Sequence, residues 1–137
     1  MRILKPFHAL SQAMAHGGHN FEVDTVIVLL CKSEPLQAEN KTRADLPDEL
    51  PMSGGYMPGV LTVTSSQQSG GLYTLEGFGP TFAAKGGQIG PFRFAVLCNK
   101  ENDNLIGFAD YMEEITLREG ESMKIVFNNP ILTLGLR

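Results

Sequence analysis

The side chains most closely grouped for a shared chemical task are His8, His16 and His19, followed by Asp24. Imidazole nitrogens and carboxylate oxygens are ordinary ligands of zinc. On a helix, His8 and His16 would stand two turns apart, roughly 12 Å, too far to share one ion unaided. His16 and His19 could reach one ion, but no thiol or carboxylate stands at a recognisable ligand spacing from them. The preferred reading is therefore histidines at a helix end, with His16 placed where the dipole favours a cation. The loop Asn99-Lys100-Glu101-Asn102-Asp103-Asn104 raises the same question for calcium. A helix-flanked calcium loop needs alternating oxygen ligands, a glycine at the sixth position and a glutamate at the twelfth. Here the flanks read as strands and Lys100 sits inside the loop, so the expectation is a solvated hairpin tip. Ser53 has no positioned base and no G-x-S-x-G around it. Gly86-Gly87-Gln88-Ile89-Gly90 precedes a strand, not a helix, so it lacks the setting of a phosphate cradle. Asp110 is expected to face Arg93 across a hairpin as a structural pair. Glu113 and Glu114 are adjacent, so a strand would point them to opposite faces. No catalytic residue, metal ligand or cofactor is expected.

These residues must be positioned by mainly β elements. Residues 6 to 16 read as one short helix, with Pro6 at its first position and Phe7, Leu10 and Met14 on one apolar face. Gly17 and Gly18 end it. Thr25 to Cys31 is β-branched and apolar on both faces, which predicts a strand covered on both sides, one of them by the helix. Residues 32 to 58 form a long polar segment with Pro35, Pro47, Pro51, Gly54 and Gly55. A loop of that length in a compact domain is usually functional or makes contacts. Val60 to Thr64 alternates as a half-exposed strand, Gln67 to Gly71 reads as a turn, and Leu72 to Leu75 as the return strand. Phe92, Phe94, Val96 and Cys98 alternate with Arg93, Ala95, Leu97 and Asn99. After the loop, Ile106, Phe108 and Asp110 alternate with Leu105, Gly107, Ala109 and Tyr111. The two runs predict an antiparallel hairpin. A second hairpin is predicted from Ile115–Leu117 and Met123–Phe127 around a turn at Arg118–Glu121, and a final strand over Ile131–Leu136. Together these predict a single domain over residues 1–137. Its expected fold is an antiparallel β-sandwich, jelly-roll-like, or a flattened barrel, with one N-terminal helix.

Composition narrows the function classes. The chain has 137 residues with a net charge of −4 and scattered basic residues, which argues against a nucleic-acid or anionic-membrane surface. No stretch approaches the roughly 18 apolar residues of a membrane span. The first residues, interrupted by Lys5, Pro6, His8, Ser11 and Gln12, do not read as a signal peptide. The chain is expected to be made and kept in the cytoplasm, or assembled there into something larger. Cys31 and Cys98 each lie in an apolar run, without a C-x-x-C pair. A disulfide between them is conceivable if their strands are neighbours; buried free thiols are the preferred reading. What remains is surface. Met52, Tyr56, Met57 and Pro58 gather at the end of the long loop, with Phe78 and Phe82 beyond. Such side chains serve subunit contacts when exposed, and otherwise tuck onto the sandwich.

Several stretches together resemble a family of small structural proteins of tailed bacteriophage virions. They are FHALSQAMAHGGHNFEVDTVIVLL at 7 to 30, MSGGYMPG at 52 to 59, GQIGPFRFAVLCN at 87 to 99, LIGFADY at 105 to 111, TLREGESMKIVF at 116 to 127 and ILTL at 131 to 134. The order is a helix, a Gly–His turn, an apolar strand, a long loop ending in a Gly-Tyr pair, a hairpin and closing strands. The chain departs from the pattern at GFGPTF, residues 77 to 82, where such proteins usually carry a tryptophan. The resemblance implies a non-enzymatic virion protein. The foremost expectation is a capsid decoration (cement) protein that binds the major capsid protein as a homo-oligomer, dimer or trimer, a role that Pro- and Gly-rich loops and an acidic surface fit. A tail, neck or baseplate accessory or adaptor protein is the second reading. A carbohydrate-binding β-sandwich on the particle is the third, weakened by the absent tryptophan and unpaired carboxylates. The first two imply binding to virion proteins, with no nucleic acid and no membrane.

Overall fold

In Val26–Cys31 every residue is buried, because alternate side chains enter two different apolar clusters. This strand is the centre of the computed structural model, which describes residues 2–135. The elements in chain order are β1 (Lys5–Pro6), α1 (Ala9–Ala15), β2 (Val26–Cys31), β3 (Gly59–Val60), β4 (Thr62–Ser69), β5 (Leu72–Phe78), β6 (Thr81–Ala83), β7 (Ile89–Asn99), β8 (Leu105–Leu117), β9 (Ser122–Lys124) and β10 (Leu132–Gly135). A 3-10 turn at Arg43–Asp45 interrupts the long loop. Three sheets result, ordered β1-β8-β7-β2-β3, β10-β5-β4 and β6-β9, and every strand pairing within them is antiparallel. The fold is mainly β and sandwich-like. Its sheets do not close on themselves, which removes the barrel alternative.

The larger cluster lies between the five-stranded sheet and the remaining strands. Val26, Val28, Leu30, Ala95, Leu97 and Ile106 meet Leu75, Leu132, Ile125, Phe127 and Phe82 there. The smaller cluster covers the opposite face of the same sheet, with Ile27, Leu29, Cys31, Phe94, Val96, Cys98 and Phe108 under Phe7 and Leu46. Burial of this kind stabilises by roughly 1.5–3 kcal/mol per large apolar side chain.

Several expectations require correction. The helix is shorter than residues 6 to 16. Pro6 belongs to β1, opposite Gly107, and cannot continue a helix once its backbone is extended. The stripe Phe7, Leu10, Met14 divides: Leu10 and Met14 join the larger cluster and Phe7 the smaller. The outer face of the sheet is therefore covered by Phe7 and the long loop, not by the helix alone. That loop is fastened across it by His8 N–H to Gln37, Leu105 N–H to Lys41 and Arg43 N–H to Asp103, and closed on itself by Lys32 N–H to Asp48. The second hairpin does not form. β8 runs on to Leu117, and β9 pairs with β6. The turn expected at Gln67–Gly71 shrinks to Gly70-Gly71, whose φ values of 59° and 85° suit a primed two-residue turn, so β4 extends through Ser69. The final strand is described as far as Gly135; Leu136 lies outside the described residues.

Alternation within β7 and β8 holds only between bulges. Simple alternation groups Phe92 with Phe94, but Phe92 enters the larger cluster and Phe94 the smaller, across an irregularity where Arg93 alone stands against four residues of β8. Ile106 likewise joins the larger cluster beside Ala109 and Tyr111, because pairing jumps from Leu97↔Gly107 to Cys98↔Leu105. An extra residue in one strand reverses the face of every residue beyond it.

Candidate interaction surface

The structure separates the six residues expected at an interface. Met52 and Met57 are 64% and 67% exposed, Phe78 is exposed, and Pro58 is half-buried. Tyr56 and Phe82 are buried, so both are withdrawn from the surface. The reason lies in β2. Its partner β3 reaches only as far as Val28, leaving the backbone of Leu30 open on that side. The Leu30 N–H donates to the Tyr56 hydroxyl at 3.1 Å, and the Leu30 carbonyl accepts from Leu50 N–H at 2.9 Å. Loop groups thus replace the missing strand, and the phenol is pushed well above its ordinary pKa, chiefly by burial. The Tyr56 ring packs 5.8 Å from that of Phe82. Gly54 allows the approach, since a Cβ there would collide with the Gln88 carbonyl.

Other large apolar side chains stay exposed around the start of β4. Met57 and Val60 lie on the chain entering β4, Val63 on β4 itself, and Phe78 opposite Thr62 on β5. Lys124 places its ammonium 4.7 Å from the centre of the Phe78 ring. Val60 and Val63 are legible in the sequence as part of a half-exposed strand; the register sets Val63 opposite Gly77, so its side chain takes the other face from that of Phe78.

The polar groups are drawn inward. Asn99 is fully buried and its amide donates to Asp24 Oδ2 at 2.8 Å and to His19 Nδ1 at 3.1 Å. Nδ1 then accepts, so the remaining proton sits on Nε2, which is buried and has no partner. Burial lowers the His19 pKa, and the Asp24 carboxylate partly opposes this. Asp24 itself is held below the ordinary carboxylate range, chiefly by its bond from Asn99. His8 and His16 are exposed and do not join this group. Among the described residues no three His, Cys, Asp or Glu side chains come together as a metal site. The 99–104 loop is not simply a solvated tip. Lys100 to Asp103 are exposed, but the loop is held from beneath by Asn99 and clasped at Thr42↔Asn104.

Arg93 and Asp110 meet in a two-pronged pair at 2.8 and 3.0 Å. The guanidinium holds the Asp110 carboxyl below its ordinary range, and a second bond, from Met112 N–H, adds to this. The pair is partly exposed and positions the β7–β8 ladder. Cys31 and Cys98 are free, buried in the same cluster. Cys31 lies opposite Phe94, four residues from Cys98 along β7, or roughly 13 Å. A disulfide spans at most about 7 Å between Cα atoms. Burial pushes each thiol up to about 12. Among the described residues no helix is long and apolar enough to cross a membrane. No protein-family model matches this chain, and no curated protein and no solved structure matches it.

Proposed function

We propose that this chain is a non-enzymatic structural protein of a tailed bacteriophage virion, a decoration protein that reinforces the head by binding its major capsid protein. The observation that carries the reading is that large apolar side chains, Met57, Val60 and Phe78, stay exposed where the long loop leads into β4 and where β5 ends. Solvent-exposed Met and Phe beside a strand edge are the side chains from which protein contacts are built. The resemblance of the 90–99 and 105–111 stretches to virion proteins supports the same reading. Binding would stabilise the shell by mass action: each copy favours the assembled state to which it binds over the dissociated subunits. A standard interface covers about 800 Å² per partner, which a small domain can supply from one end. Self-association as a dimer or trimer would let each decoration unit touch several shell subunits at once.

The test is immunogold labelling of purified, intact particles with antibody against the full chain. Label distributed over the heads is expected. Label confined to the tail or neck would replace the decoration role with an adaptor role, and absence from washed particles would overturn the virion reading.

A further inference from the structure

The edges of the sheets are unequal. β1 has two residues, one a lysine and the other a proline; β3 has two residues; β6 and β9 have three each; β10 is described over four. Short strands, Lys and Pro are how proteins keep edges from pairing. β4 is different. It reads Thr62-Val63-Thr64-Ser65-Ser66-Gln67-Gln68-Ser69, with no charge and no proline, and among the described residues no strand lies on its side away from β5. The two-residue turn makes Ser69↔Leu72 the hydrogen-bonded pair next to it. Bonded pairs then recur at Gln67↔Thr74, so Ser66 and Gln68 turn their N–H and C=O groups outward.

We propose that β4 pairs antiparallel with β4 of a second copy of this chain, about a two-fold axis at Gln67. The axis sets Ser66 against Gln68 of the other copy and Gln67 against itself. Four backbone hydrogen bonds form between the outward groups of Ser66 and Gln68. Ser65 meets Ser69, and Thr64 meets the glycine of the turn. Every opposed pair is uncharged, so no like charges face one another directly across the seam; Glu22 lines the surface beside Ser66, Gln67 and Gln68. The edge fits its own copy, because the two-fold arrangement opposes the same uncharged Ser, Gln and Thr residues and pairs outward backbone groups with outward backbone groups. The pairing joins two three-stranded sheets into a continuous six-stranded one and leaves the Phe78 side chain on the outer face of the β4–β5 hairpin. It names a surface for the self-association in the proposed function. The test uses the isolated chain, so its failure leaves the particle-labelling result to stand by itself.

Sedimentation velocity over a concentration series should show a reversible dimer. Gln67→Lys and Gln67→Glu each place two like charges face to face at the axis. Each should weaken the dimer at least roughly fivefold, and mixing the two variants should restore it. Hydrogen exchange on the unmodified chain should show the Ser66 and Gln68 amides gaining protection with concentration. A monomer at all soluble concentrations, a dimer unchanged by either substitution, failure of the mixture to recover, or concentration-independent exchange at Ser66 and Gln68 would each overturn the proposal.

Discussion

Tyr56 acts in two ways, filling space beside Phe82 and accepting the Leu30 N–H. Tyr56→Phe keeps the ring but leaves a buried donor unpaired, and such an orphan costs about 1–3 kcal/mol. The expected loss lies in that range and is read as a lower urea midpoint with an unchanged slope. Sequence alone places this tyrosine on a loop among exposed methionines; nothing local tells a plug from a surface anchor, because the open side of β2 is created by the early end of β3. His19 supports a second prediction. Its imidazole is buried and its pKa is lowered from the ordinary 6.5. As pH falls below that value the unfolded chain takes up the proton first, so stability declines with acidity until the folded-state pKa is passed. Stability curves measured between pH 7 and pH 5 should fall for the natural sequence, and His19→Gln should lack that part of the slope. An identical slope in the variant would mean that His19 is not the group responsible.

At the scale of elements, the β4–β5 hairpin is set by Gly70 and Gly71, both at positive φ. A primed turn accepts Asn at its first position and strongly favours Gly at its second. Gly70→Asn should therefore leave thermal stability nearly unchanged. Gly71→Ala should cost about 1 kcal/mol, read as a lower melting temperature. Equal effects at both positions would argue against this turn geometry. The sequence announces the turn and the strands clearly, because Gly pairs and β-branched runs are local signals. It also places Arg93 and Asp110 on facing strands, and these residues meet. Where it misleads is at the bulges. Phe92 and Ile106 change face through register shifts that no alternation rule contains, and β9 leaves its sequence neighbour β8 for β6. Both are decided by partners distant in the chain.

For the whole molecule, the five-stranded sheet is shared by two apolar clusters, and the smaller is roofed largely by a loop. The polar composition and prolines of residues 32 to 58 suggest a segment turned toward partners. Its backbone instead joins three separate places: Gln37 to His8, Lys41 and Arg43 to the residues after β7, and Leu50 to β2. Arg43 reinforces the last part through a two-pronged bond to Glu49 at 2.9 and 2.7 Å. A roof fixed at several points cannot lift without breaking most of them, so it should open only when the sheet opens. Cys31 and Cys98 beneath it report on this directly. Burial pushes both thiols up to about 12, so neither supplies thiolate at pH 8 while folded. A thiol reagent should therefore label neither cysteine in the native protein. In rising urea, both should label together, with the same denaturant dependence as loss of the circular-dichroism signal. Labelling of either thiol well before that transition would show the loop lifting as an independent unit, and the two clusters would then not form one cooperative structure.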